Sequence, residues 1–138
     1  MQTSAGLPAR ITDGEGKLRE EDLSHILTDK GFAQFGDSLL NFAYSIAVTR
    51  TTGKPKGFKV QDRVLAEAAV KAGLRRLLPR RVSRGEVANS VEALLGYAWL
   101  NKLVTLDEVV SCLIDESIMI PSETFAKLAE MVLARLRA

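Results

Sequence analysis

One cysteine and one histidine in 138 residues remove much of the chemistry around which a small protein can be built. Cys112 alone cannot form an internal disulfide framework, and a lone thiol fits a reducing cytoplasm. It lies among Val109, Val110, Leu113 and Ile114, the setting of a buried, inert thiol. His25 and Cys112 are too few for a zinc site of the Cys/His type. His25, in "LSHILT", reads as a helix-surface or satisfied core residue rather than a base. No run approaches the roughly 18 consecutive apolar residues of a membrane span. The opening "MQTSAGLPARITDGEGKLREED" has no apolar stretch and is expected to be no secretory signal. Aromatics make up 6% and rarely interleave with bases, which disfavours a stacking platform for single strands. Alternating β-branched residues are nearly missing, and strands with them.

What remains is an ordinary globular composition, 46% hydrophobic and 26% charged, at the length of one domain. Net charge is only +2, but its distribution is uneven. Residues 1–37 hold four bases and seven acids (−3), residues 38–85 eleven and two (+9), and residues 86–138 four and eight (−4). A cationic block between two acidic ones suggests a face for a polyanion, nucleic acid first among them. Its bases include Arg50, Lys54, Lys56 and Lys59 around a Gly/Pro loop, then Lys71, Arg75, Arg76, Arg80, Arg81 and Arg84. A solvated helix face would explain the same run without a ligand.

Residues 1–17 read as a flexible arm and 18–138 as one helical domain. "EEDLSHILT" is short and amphipathic. A long helix is expected from about Asp29 to Thr49, then a loop over "TTGKPKGFK". "VQDRVLAEAAVKAG" is helical with Gly73 as its stop. "SRGE" at 83–86 is a capping box opening a helix to about Lys102, and "TLDE" at 105–108 repeats the device. Pro121-Ser122 begins the last helix. The fold class is therefore all-α, with six or seven helices.

Within the long helix, "FAQFGDSLLN" places Asp37 directly after Gly36 and beside an apolar stripe. A carboxylate there must be solvated, paired or bound to a cation. In "VANSVEALLGYAWLN", Val87, Val91, Leu94, Leu95 and Ala98 form a core stripe, while Asn89, Glu92 and Gly96 share another face. Glycines at 36 and 96 would let two helices approach closely, each offering one acid. Oxygen ligands so placed suit Mg²⁺.

"GDSLLNFAYS" and "NSVEALLGYAWL" together resemble the two signature segments of the ribonuclease III family. In that family the first is a Glu-rich helix closing on Gly-Asp-(Ala/Ser)-(Val/Leu)-Leu. The second reads Asp-(Ala/Ser)-apolar-Glu-Ala-Leu-(Leu/Ile)-Gly. Order and separation fit, with 55 positions from Asp37 to Glu92, and "LAEAAVKAGLRRLLP" resembles the family's intervening segment. The resemblance covers residues 28–103. It implies a ribonuclease III-like endonuclease domain in which Asp37 and Glu92 are catalytic and hold Mg²⁺ or Mn²⁺, with the Asn89 amide oxygen as a further ligand. It implies hydrolysis of phosphodiester bonds in double-stranded or structured RNA gripped by the basic block. It also implies a homodimer through the first signature helix at Phe32, Phe35, Leu39 and Phe42; a buried central helix in a monomer explains those residues equally.

Three positions depart from the family. Asn89 stands where the second motif has aspartate, Ala33 where the first has a metal-linked glutamate, and Lys30 where another often lies one turn earlier. The pattern is closest to the mini-ribonuclease III type, whose second segment reads similarly through "EALLGY" and which has no double-stranded-RNA-binding domain. Two acids are expected to bind metal weakly in the free protein. A competing reading is a non-catalytic RNA-binding scaffold, for example ribosome-associated, on a degraded nuclease fold.

Overall fold

Both capping boxes form. Ser83 Oγ accepts from Glu86 N at 3.1 Å while Ser83 N donates to Glu86 Oε1 at 2.9 Å. Thr105 and Glu108 repeat the exchange at 3.1 and 2.9 Å. Four otherwise unmatched backbone groups are thus satisfied where two helices begin. The computed structural model describes residues 19–115 and 120–138; the arm expected over 1–17 lies outside them. Among the described residues there are six α-helices and no strand. They are α1 (Glu20–Leu27), α2 (Lys30–Thr52), α3 (Asp62–Lys71), α4 (Arg84–Leu100), α5 (Leu106–Asp115) and α6 (Pro121–Arg137), with one 3-10 turn at Arg75–Leu77. None is long and apolar enough to cross a membrane.

Gly73 ends α3 as its sequence foretells. It takes φ +82°, donates from its N–H to Val70 O at 3.1 Å, and lets Leu74 N reach Ala69 O at 2.9 Å. That pair of bonds is a Schellman stop, and the positive φ costs glycine little. The expected end of α4 near Lys102 is displaced, since α4 stops at Leu100. Lys102 itself turns left-handed (φ +60°), and Leu103 N closes on Ala98 O at 2.8 Å.

The sequence shows an apolar stripe on α4; the structure shows a helix buried on nearly every side. Val87, Ala88 and all of 90–98 are buried, because α1, α2, α3 and α6 all pack against it. Ser90 survives there by donating its hydroxyl to Val87 O at 2.6 Å. Tyr97, wholly buried, meets Phe32 edge-to-face with ring centroids 5.2 Å apart. Such pairs contribute about 1 kcal/mol beyond the area they bury. Cys112 is half-buried against the core rather than sealed in it, and His25 is exposed in the last turn of α1. The ends of α5 and α6 are clamped together: Arg135 pairs with Glu108 at 2.6 Å and donates to Leu103 O at 3.0 Å. That guanidinium, with the Thr105 cap, holds the Glu108 carboxyl down to about 2.

α2 and α4 cross with almost no side chain between them. A Cβ on Gly36 would lie 1.7 Å from the Glu92 carbonyl oxygen, and one on Gly96 would lie 2.5 Å from Phe32 O. Both obstacles are backbone, which no rotamer change relieves. Gly36→Ala is therefore expected to cost about 3 kcal/mol or more in urea unfolding, at or beyond the upper range of overpacking. Gly57→Ala, where a Cβ meets nothing within 4 Å, should stay within about 0.5 kcal/mol. Equal effects from the two would show that α2 and α4 are not in backbone contact at Gly36.

Candidate active site

Asp37, Asn41, Ser45 and Thr49 recur every four residues and so share one face of α2. The chain that turns at Gly53 returns along this face, antiparallel to the helix. Thr49 Oγ1 accepts from Lys56 N at 3.2 Å, Ser45 Oγ from Phe58 N at 2.8 Å, and Asn41 Oδ1 from Val60 N at 2.8 Å. The fourth rung is ionic: Lys59 Nζ stands 3.4 Å from Asp37 Oδ1. Asn41 Nδ2 donates to the same oxygen at 3.1 Å. One asparagine thus fixes both the acid and the loop that carries the lysine.

Glu92 reaches the same place from α4, across the glycine crossing. Its side chain is buried, whereas Asp37 is partly open to solvent. The two carboxyls act on each other so that their ionisations separate and Glu92 keeps its proton. Burial first, then the neighbouring Asp37, pushes the Glu92 carboxyl up to about 9. Asp37 is held below its ordinary value, chiefly by the Glu92 hydrogen bond and further by Lys59. Glu92 is therefore the donor and Asp37 the acceptor. An open cleft of about 300 Å³ lies over them, lined by Lys30, Ala33, Gln34, Asp37, Lys59, Asp62, Asn89 and Glu92. At roughly 30 Å³ per water, a hydrated cation and a phosphate group fit inside.

The structure thus brings together Asp37, Glu92 and Asn89. The Asn89 amide lies 3.1 Å from Gly85 O and 3.2 Å from Glu92 Oε1, two acceptors that assign its nitrogen to face them. The amide must turn over before its oxygen can face a cation. Ala33 lies at the cleft with no donor to offer. Three residues at the site are not singled out by the sequence reading. Asn41 was signalled by the four-residue polar repeat, and Asp62 by an acid in the first turn of α3. Lys30, seen only as a departure, lines the cleft itself. Among the described residues no three His, Cys, Asp or Glu side chains converge as a metal cluster, so Asp62 faces the pair without joining it.

The bases have different settings. Lys59 belongs to the cleft, and Lys56 lies over the Phe58 ring at 5.2 Å. Arg50, Lys54, Arg76, Arg80, Arg81 and Arg84 are exposed. Arg75 is occupied in its own loop, donating to Pro79 O at 3.1 Å and Arg80 O at 2.8 Å. Of the four apolar residues assigned to an interface, Phe32 and Leu39 are buried within the chain, while Phe35 and Phe42 are exposed.

Residues 30–138 match the family described as Ribonuclease III. The chain belongs to the ribonuclease III family. No curated protein matches it. As a ribonuclease III domain it carries a ribonuclease role in general, and the family is generally divalent-metal dependent and acts on double-stranded RNA.

The proton that Glu92 keeps has a measurable consequence in metal-free protein. Glu92 titrates near 4.5 when unfolded and near 9 when folded. Between those values the folded chain holds a proton that the unfolded chain has lost, so this contribution to stability falls as pH rises. Asp37, being lowered, acts oppositely and only below its usual 3.8. Chelator-treated protein should therefore lose thermal stability from about pH 4.5 to about pH 9, and Glu92→Gln should flatten that slope. Parallel slopes in both proteins would mean that the pair holds no such proton.

Proposed function

We propose that this ribonuclease III domain is a metal-dependent endoribonuclease, acting in the cytoplasm on double-stranded or structured RNA. One observation supports this above the rest: two helices packed backbone to backbone hold Asp37 and Glu92 in contact at an open cleft. Carboxylates forced together across a proton suit a hard divalent cation, which takes oxygen ligands and displaces that proton. Asp37 and Glu92 would hold Mg²⁺ or Mn²⁺, with Asn89 after an amide turn. When bound, the cation supplies positive charge beside the phosphoryl oxygens and lowers the pKa of a water. The protein's own groups do the rest. Asn41 fixes the Asp37 carboxylate, the cleft admits one phosphate, and the surrounding bases hold the duplex by its backbone. Hydrolysis adds a water oxygen to phosphorus and releases one ribose oxygen, which takes up a proton.

With long duplex RNA and Mg²⁺, the wild-type chain should cut. Asp37→Asn and Glu92→Gln should each lower kcat by roughly 10³-fold or more, in the range lost when catalytic-centre groups are removed. Duplex binding should weaken steeply with added salt and weaken further in a Lys54→Ala/Lys56→Ala double variant, as expected of phosphate contacts. Tight, salt-sensitive binding without cutting under either metal would leave the other reading, an RNA-binding scaffold of the ribosome-associated kind. Ala33 and Lys30, which bring no carboxylate to the cleft, favour that second reading.

The same proposal includes a homodimer through α2. Phe35 and Phe42 are seven residues apart, hence on one face, and Phe42 is 57% exposed. Trp99, unremarked in the sequence, stacks on Phe35 with centroids 5.6 Å apart and widens the patch. Phe32 and Leu39 would support it from beneath. Phe42→Glu should convert a dimer to a monomer in sedimentation velocity without unfolding it; an unchanged mass in wild type and variant would remove α2 from any interface.

A further inference from the structure

Hydrolysis at the cleft builds negative charge on the phosphoryl oxygens and on the leaving oxygen, and something positive must stand near each. Asp37 and Glu92, ionised, carry two negative charges, which one divalent cation neutralises. Asp62 does not join them in a three-acid cluster among the described residues. A second divalent ion would therefore find no second pair of converging carboxylates to hold it in the free protein. One cation already occupies that neighbourhood. Lys59 Nζ lies 3.4 Å from Asp37 Oδ1, on a side chain 71% exposed and free to reach into the cleft. It is not placed there by chance of a loose loop. The flanking Phe58 and Val60 N–H groups are both tied to α2, at 2.8 Å each. Lys30 lines the same cleft, but the ion pair with Asp37 is made by Lys59.

We infer that Lys59 is the second cation of a one-metal site. Its ammonium pairs with Asp37 in this structure and would move to the phosphoryl oxygens of bound RNA. This rests on the nuclease reading above and assigns Lys59 a catalytic role rather than one of general RNA affinity. In the metal-free protein Lys59 competes with metal for Asp37; in the reaction it stabilises the charge that the metal does not reach. Removing it should therefore act in opposite directions on binding and on rate.

The experiment measures Mn²⁺ binding by calorimetry for wild type, Lys59→Met and Lys59→Arg, and cleavage of duplex RNA by the same three proteins. Wild type should bind one Mn²⁺ per chain. Lys59→Met should bind it roughly two- to fivefold tighter, the effect of removing one exposed charge beside the site. It should also lower kcat by roughly 10²-fold with KM little changed, the usual cost of deleting one electrostatic stabiliser. Lys59→Arg should recover most of the rate. Weaker or unchanged Mn²⁺ binding in Lys59→Met would make the lysine a prop for Asp37 and overturn the inference. A loss confined to KM would make it an ordinary backbone contact, and two Mn²⁺ per chain would leave it no place; either overturns it. A wild-type chain that binds no Mn²⁺, or binds it and cuts nothing, sinks the nuclease reading itself and this inference with it.

Discussion

The contact between Gly36 and the Glu92 carbonyl governs this molecule. Glycine at 36 and at 96 lets α2 and α4 touch through backbone, and any Cβ at either point would collide with main-chain atoms. Asp37 follows the first glycine directly, and Glu92 lies one turn before the second. Backbone contact therefore sets the separation of the two acids, and side-chain rotamers adjust only the last stretch. Two carboxyls would not choose each other's company in water. They are held together by the apolar packing that surrounds α4, with Tyr97 against Phe32 next to the crossing, and the strain shows in the raised Glu92 carboxyl. A stable core thus imposes an unstable arrangement at one edge, the usual relation between a fold and a site.

A second constraint is polar and local. The face of α2 that carries Asp37 also carries Asn41, Ser45 and Thr49, and these bind the returning loop rung by rung. Side-chain amides and hydroxyls do for this loop what a neighbouring strand would do elsewhere, satisfying N–H groups that would otherwise depend on water. The acid at the start of the ladder and the lysine at the end of the loop are consequently placed by one device. Geometry at the cleft comes from two directions, apolar beneath and polar alongside.

Local signals in the sequence carried far. Both capping boxes and the Gly73 stop are written in a few adjacent residues and form as read, whereas α2 runs on through Thr51 and Thr52, two residues expected in the loop that follows it. Gly36 and Gly96 were legible as a close approach because a glycine beside an acid on a buried helix has few other reasons to be there. What could not be read depends on neighbours distant in sequence. The burial of α4 on all sides follows from four helices packing around it, which no stripe on α4 can announce. Trp99 is exposed next to Phe35 only because the crossing brings them together. Arg75 looked like any other base in its run, yet its fork is closed on Pro79 and Arg80 carbonyls by the turn that follows. Asp62 approaches Glu92 because α3 begins where the ladder ends.

The ladder grips the loop by the backbone N–H groups of Lys56, Phe58 and Val60, not by what those residues carry beyond Cα. The path of the chain is thereby uncoupled from much of its chemistry. Positions 54, 56 and 57 can be rewritten, basic to neutral or small to large, while Lys59 keeps its station over Asp37. On the function proposed above, RNA preference could drift by point substitution along the loop without moving Asp37 or Glu92.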